Sequence, residues 1–326
     1  MLHFVILRVL KSASQIKPKL ILKIQMGVTL KNISFDHLSS PLLQEKEVEV
    51  IVARLDKIHD DVSGNKLFKL HYFIEECMQS EHKMILTFGG AYSNHLAATA
   101  YMCRETGLRC TGVVRGERPP VLSHTLRRCE ELGMKLHFVS RESYKHAEDP
   151  AFIAALHDQF GNFTMVPEGG YSPQGAKGAS LIHDVIDHLH ATHIATAVGT
   201  ATTLAGLLEG KKDDQYIIAV PVIKNMTDIQ ERIAFLTGIK ETASLEMLHE
   251  YHFGGYAKYN EELISFMNAF YDAYKVPTDF VYTAKMFCAV FDMIKKDHFP
   301  KGSRIVCLHT GGLQGNNSLP AGKLNF

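Results

Sequence analysis

From residue 84 onward the chain alternates two kinds of pattern. Short apolar, β-branched runs are each followed by a stretch whose apolar positions recur at helical spacing. MILTFGG (84–90) precedes SNHLAATAYMCRETG (93–107), RCTGVVRG (109–116) precedes SHTLRRCEELG (123–133), and KLHFVS begins at 135. Ser93 and Ser123 stand where helices should start, and Gly107 and Gly133 where they should stop. After FTMVPEGG (163–170) the alternation resumes with GAKGASLIHDVIDHLH, THIATAVGT, TTLAGLLEG, QYIIAVPVI and TDIQERIAFLTG. Helical stretches follow around 261–274 and 281–296, and then a last strand, SRIVCLHT (303–310). This order predicts an α/β protein with two parallel-type twisted sheets in two domains, and a ligand between them at the strand C-termini. The expected division is a large domain of residues 26–69 and 176–326 with a small α/β domain, 70–175, inserted into it.

Composition narrows the partner. Thirty-five basic residues balance thirty-five acidic ones, and no long run of one sign occurs. Neither nucleic acid nor a membrane is therefore expected as a partner; a small molecule is. Six scattered cysteines (77, 103, 110, 129, 288, 307), none in a CxxC pair, fit thiols in a reducing compartment, so the cytoplasm is the expected location. Residues 1–25 differ in character: they carry Arg8, Lys11, Lys17, Lys19 and Lys23, and the first acidic residue is Asp36. As a signal peptide this segment is poor, because Arg8 interrupts its apolar run. It is expected to lie outside the core, and Met26 is a candidate start.

Three glycine-bearing loops follow apolar strands: LTFGGAYSNH, TAVGTATTLAG and VCLHTGGLQG. In the second, Gly199, Thr200, Ala201, Thr202 and Thr203 are small enough for backbone N–H groups to close around an anion at a helix start. The loop matches neither G-x-x-x-x-G-K-[ST] nor G-x-G-x-x-G, which disfavours a nucleoside triphosphate or a dinucleotide. A tight turn without ligand accounts for it equally well. Upstream, SGNKLFK places Lys66 and Lys69 one helical turn apart behind a Gly-Asn turn. A solvated lysine is the ordinary reading. Together with a phosphate loop, however, the pair suits pyridoxal 5′-phosphate, which carries one phosphate and is held by a lysine amine. His183, His188, His190 and His193 raise a zinc alternative that their spacing opposes, since 188 and 190 diverge on a helix.

Over residues 40 to 313 the chain resembles the 1-aminocyclopropane-1-carboxylate deaminase and D-cysteine desulfhydrase family, fold-type-II pyridoxal-phosphate enzymes of tryptophan-synthase-β-like fold. SGNKLFK resembles the family's Gly-Gly-Asn-Lys-x-x-Lys, which implies Lys66 as the Schiff-base lysine and Lys69 on the phosphate side. GGAYSNH resembles the segment that binds the substrate carboxylate. That likeness implies Ser93, with His95, on the substrate and Asn94 beside the cofactor ring. Gly199 to Thr203 resembles the phosphate loop, VYTAK supplies Tyr282 and Thr283, and HTGG supplies Thr310. The chain departs from the family in Leu96-Ala97-Ala98, where Thr-Arg-Gln is usual, and in GTATT, where more glycine is usual.

Two positions distinguish the family's branches. The deaminase branch carries an acidic residue after the late Tyr and a Leu before the final Gly-Gly; the desulfhydrase branch carries small hydroxyl residues, as Thr283 and Thr310 are here. A carboxylate at the pyridine nitrogen keeps it protonated, whereas a hydroxyl does not, and a good leaving group at Cβ needs only the weaker electron sink. The resemblance therefore implies α,β-elimination on a small amino acid. D-cysteine is the expected substrate, with Lys66 as base at Cα, Ser93 on the carboxylate and Tyr282 assisting the leaving group. Ring opening of 1-aminocyclopropane-1-carboxylate and a weakly active cofactor-binding paralogue are the alternatives. A homodimer is the expected assembly.

Overall fold

The computed structural model describes residues 33–58 and 64–326. The basic N-terminal segment and Ser63 of the Ser-Gly-Asn turn lie outside the described residues. Among the described residues the strands form two sheets. One has six strands in the order β1-β2-β10-β7-β8-β9: Phe35–Leu38, Glu49–Ala53, Arg304–Leu308, His193–Val198, Tyr216–Pro221 and Leu245–Met247. Its pairings are parallel except β1 on β2, where Phe35 lies opposite Ala53. The other, all parallel, runs β5-β4-β3-β6: Lys135–Val139, Arg109–Arg115, Met84–Gly89 and Thr164–Val166.

The helices begin where side chains can accept the free N–H groups of a first turn. Ser93 Oγ accepts from Leu96 N at 3.2 Å to start the helix Asn94–Glu105, and Ser123 Oγ accepts from Leu126 N at 3.1 Å to start His124–Glu131. Gly107 and Gly133, at φ 69° and 91°, follow the ends of these helices. The helices Glu261–Tyr274 and Thr283–Lys295 fall within the late stretches of helical spacing.

One continuous apolar cluster joins the two sheets. It contains Ile51 and Val306 from the larger, Ile85 and Val114 from the smaller, and Leu67, Phe68, Leu70, Phe73 and Ile74 from the helix Lys66–Gln79 between them. Each such side chain, once fully buried, contributes about 1.5–3 kcal/mol. The helix Lys66–Gln79 runs unbroken through the 69/70 boundary expected from the sequence. The short helix Pro173–Ser180 lies against it with its small residues inward. A Cβ on Gly178 would fall 2.2 Å from Phe68 O, so only glycine allows this approach. The packing fixes Lys66 and Lys69, at the N-terminus of Lys66–Gln79, against the C-terminal ends of strands from both sheets.

Candidate active site

The cavity at those strand ends is lined by the Gly-Asn turn, by Asn94 after β3, Gly169 after β6, Gly199 to Ala201 after β7, and Thr310 and Gly311 after β10. Tyr282 closes one side. The turn before Lys66 admits only glycine at 64: φ is 79°, and a Cβ there would lie 1.8 Å from Thr310 O. Segments 64–69 and 308–311, far apart in sequence, are thereby held in contact.

Lys66 Nζ donates to Asn65 Oδ1 at 2.7 Å, and Asn65 Nδ2 donates to Thr203 Oγ1 at 2.7 Å. The lysine is thus tied through one amide to the start of the helix Thr202–Gly210. Burial lowers the pKa of Lys66 to about 8, with Asp279 acting the other way. Lys69 donates to Gly169 O at 3.2 Å. Its pKa is pulled well below the usual lysine value by burial and then by the charge of Lys66. Between the lysines and β7, Ala201 takes a left-handed conformation (φ 66°), and no side chain caps the helix Thr202–Gly210. Thr200 and Thr202 join their hydroxyls at 2.9 Å. Alternating backbone handedness at an uncapped helix start turns N–H groups toward one point, a cradle for an anion.

Beside this cradle Tyr282 packs against Gly199 and donates its hydroxyl to that of Tyr256 at 3.3 Å; the two rings meet edge to face. Burial, followed by the neighbouring Tyr256, raises the Tyr282 pKa well above the usual phenol value. Asp279 lies beneath Tyr282, fully buried. Its Oδ2 accepts from Val281 N and Tyr282 N at 3.0 and 2.9 Å, and its Oδ1 from Thr283 N and Thr283 Oγ1 at 2.9 and 2.7 Å.

Of the residues picked from the sequence, Lys66, Lys69, Asn94, Gly199, Thr200, Ala201, Thr203, Tyr282 and Thr310 meet at the cavity. Thr202 and Thr283 are buried behind the lining. Ser93 caps its helix with its oxygen, which leaves the O–H to donate elsewhere. His95 is buried behind Asn94. Thr87 Oγ1 gives its own proton to Val166 O and so accepts from His95 Nε2 at 2.8 Å. Burial, then Lys66 and Lys69, lowers the His95 pKa to about 3, so the ring is neutral. Among the described residues no group of three or more His, Cys, Asp or Glu is placed to hold a metal ion. Two residues were not found from sequence. Asp279 shows a signal after the fact, an acid just before a helix. Tyr256 has none, since tertiary packing alone brings it to Tyr282.

Comparison with known proteins identifies the family. The pyridoxal-phosphate dependent enzyme family matches residues 35–311, and the chain belongs to it. It is similar to a protein of Thermotoga maritima provisionally named 1-aminocyclopropane-1-carboxylate deaminase, with 28% identity over 84% of this chain and 92% of that one. It is also similar to D-cysteine desulfhydrase of Salmonella typhi, with 24% identity over 81% and 87%. A solved homologue of the deaminase superposes with a TM-score of 0.74 at 24% identity, covering 92% of this chain and 96% of that one. The fold is thus that of the fold-type-II enzymes, and family and relatives together point to a pyridoxal-phosphate-dependent lyase.

The residues present fit this cofactor. Asn94 Oδ1, on a residue lining the cavity, is buried with no hydrogen-bond partner among the described residues, as expected of an acceptor waiting for a ligand. The anion cradle and two lysines complete a site for a phosphorylated aldehyde.

Proposed function

We propose that the chain catalyses α,β-elimination on a small amino acid, with D-cysteine as substrate and pyruvate, hydrogen sulfide and ammonia as products after one water is consumed. The observation that carries this reading is the placement of Lys66. Its amine, with a pKa near 8, belongs to a residue that lines one cavity together with the 199–203 loop and Tyr282, whose hydroxyl meets that of Tyr256. Bound there, pyridoxal phosphate supplies an aldehyde that takes up amines and a ring that accepts electrons from Cα.

The protein's own groups have separate tasks. Lys66 holds the cofactor and then takes the Cα proton, for which a pKa close to the working pH is suited. Lys69 and residues 199–203 bind the phosphate, Ser93 donates to the substrate carboxylate, and Asn94 orients the ring. Tyr282, its pKa raised, keeps its proton until a leaving sulfur at Cβ takes it, and Tyr256 is the next hydroxyl in line. Thr310 lines the cavity, and Thr283 fixes the wall behind it. The segregation of Asp279 behind Thr283 favours elimination, because four hydrogen bonds within its own helix start hold the carboxylate back from the cavity. A small amino acid is the expected partner, and a homodimer in the cytoplasm the expected setting; no helix among the described residues is long and apolar enough to cross a membrane.

Ring opening of 1-aminocyclopropane-1-carboxylate is the second reading, favoured by the names of several relatives. Incubation with D-cysteine, L-cysteine, β-chloroalanine, serine and 1-aminocyclopropane-1-carboxylate, with assay of 2-oxo acid and sulfide, tests both. Fastest release of sulfide and pyruvate from D-cysteine is the expected result. Faster formation of a 2-oxo acid from the cyclopropane would transfer the assignment to the deaminase.

A further inference from the structure

Lys285 has no part in the site as described, yet it is among the most deeply buried charged side chains of the molecule. It projects from the first turn of the helix Thr283–Lys295 with no exposed surface. Its Nζ donates to His252 O at 2.8 Å and to Gly255 O at 2.7 Å. Burial lowers its pKa to about 8, and the charge of Asp279 acts against that shift. A buried ammonium is costly unless its donors are used and an opposite charge stands near; here two of its three donors are bonded and the charge of Asp279 favours the ammonium form.

The two carbonyls it binds open and divide an unusual stretch of backbone, residues 252–257. Phe253, Gly254, Gly255 and Ala257 all take positive φ, at 49°, 91°, 117° and 52°. Within the segment Gly255 N donates to His252 O at 3.0 Å and Lys258 N to Gly255 O at 3.1 Å, so each of these carbonyls accepts a second bond from Lys285, the only one of the two that reaches across to the helix. Within the same stretch lies Tyr256, about half exposed, whose hydroxyl reaches the site by meeting that of Tyr282. Tyr251 ties the other end of the segment to Asp292 of the same helix. Tyr282 immediately precedes that helix. The helix therefore sets the position of one tyrosine directly and, through Lys285, of the other.

We propose that Lys285 is a positioning residue: by fastening the His252–Gly255 turn to the helix Thr283–Lys295, it sets the Tyr256 hydroxyl against that of Tyr282. The catalytic consequence rests on the reading above, in which this pair moves a proton at the leaving group; the positional claim does not. The test is a double-mutant cycle joined to hydrogen exchange. Lys285→Met keeps the length of the side chain and removes its donors. It should lower kcat about a hundredfold with KM changed by less than about threefold, the scale of a misplaced catalytic group. In a Tyr256→Phe background the same substitution should cost less than about threefold, because the hydroxyl it positions is already gone. Lys285→Arg, which retains donors, should recover part of the loss. Exchange at amides 252–257 should quicken in Lys285→Met while the strands of the large sheet stay protected.

Equal losses in both backgrounds, or faster exchange spread across helix and sheet, would overturn the proposal and leave Lys285 a purely structural residue. Should Lys285→Met fail to fold, the cycle is run with Lys285→Arg, whose altered reach should shift exchange at 252–257 alone; unchanged exchange there overturns the proposal. If the unmodified enzyme releases a 2-oxo acid from none of the amino acids tried, the elimination reading fails, and the exchange measurement still decides the role of Lys285.

Discussion

Among the helices that begin at the candidate active site, two treat their N-termini in opposite ways. The helix Thr202–Gly210 starts at Ala201 with no side-chain cap, its first N–H groups left open. The helix Thr283–Lys295 starts over Asp279, whose carboxylate takes three N–H groups and the Thr283 hydroxyl. A helix start carries partial positive charge and unpaired donors, and either a side chain or a ligand can satisfy them. One end is closed by the chain itself; the other is the end we assign to the cofactor phosphate. The closed end also has an electrostatic reach, since Asp279 favours the charged form of Lys66, which burial opposes. A single acid thus closes one helix and helps to set the proton affinity of the amine beside the other.

Breaking what both ends serve has the largest expected effect. Lys66→Ala should lower turnover by about a hundred- to ten-thousandfold, the range of a lost general base. Borohydride should no longer fix cofactor to the chain, whereas in the unmodified protein peptide mapping should find it on Lys66. Asp279→Ala strikes the closed end. It removes a cap and leaves buried donors unpaired, so urea unfolding should show a loss of about 3 kcal/mol.

Thr203→Val strikes the open end by removing the acceptor for Asn65 Nδ2. Titration with pyridoxal phosphate should show binding weakened about tenfold, the scale of one buried hydrogen bond. The finest test concerns pH. The neutral amine is the nucleophile, and the Lys66 pKa is lowered to about 8, so cofactor uptake by the cofactor-free protein should rise through that pH and level off above it. Asp279→Asn removes a charge that favours the ammonium form, so the midpoint should move to lower pH; movement upward would contradict the link between the two ends.

The sequence marked the open end as a candidate and the closed end hardly at all. Residues 199–203 lie in one loop between a clear strand and a clear helix, and Lys66 and Lys69 are neighbours on one helix face; local spacing singled them out, and the family resemblance gave them a role that spacing alone left open. Asp279 sits among apolar residues in TDFVYTAK, and its role depends on a turn that folds it back over the next four residues. Tyr256 is 26 residues from Tyr282, in a left-handed turn held by a buried lysine, a matter of packing with no local pattern. The strands Phe35–Leu38 and Glu49–Ala53 also escaped the periodic reading. The first is only four residues long and incompletely buried, and the second follows a run of charges. Helix caps such as Ser93 were legible because a hydroxyl three residues before the N–H it accepts is a local fact.

The place of the last strand bears on how the molecule is made. Arg304–Leu308 lies in the middle of the large sheet, between Glu49–Ala53 and His193–Val198, and the residues just after it touch Gly64 and line the cavity. During synthesis, therefore, the early strands wait beside an empty slot until residues 304–308 have left the ribosome. Pairings so distant in sequence form slowly. The smaller sheet, whose strands all lie between residues 84 and 166, has no such wait. Capacity to bind the cofactor should appear late and abruptly in the life of the nascent chain, after its smaller sheet has already folded.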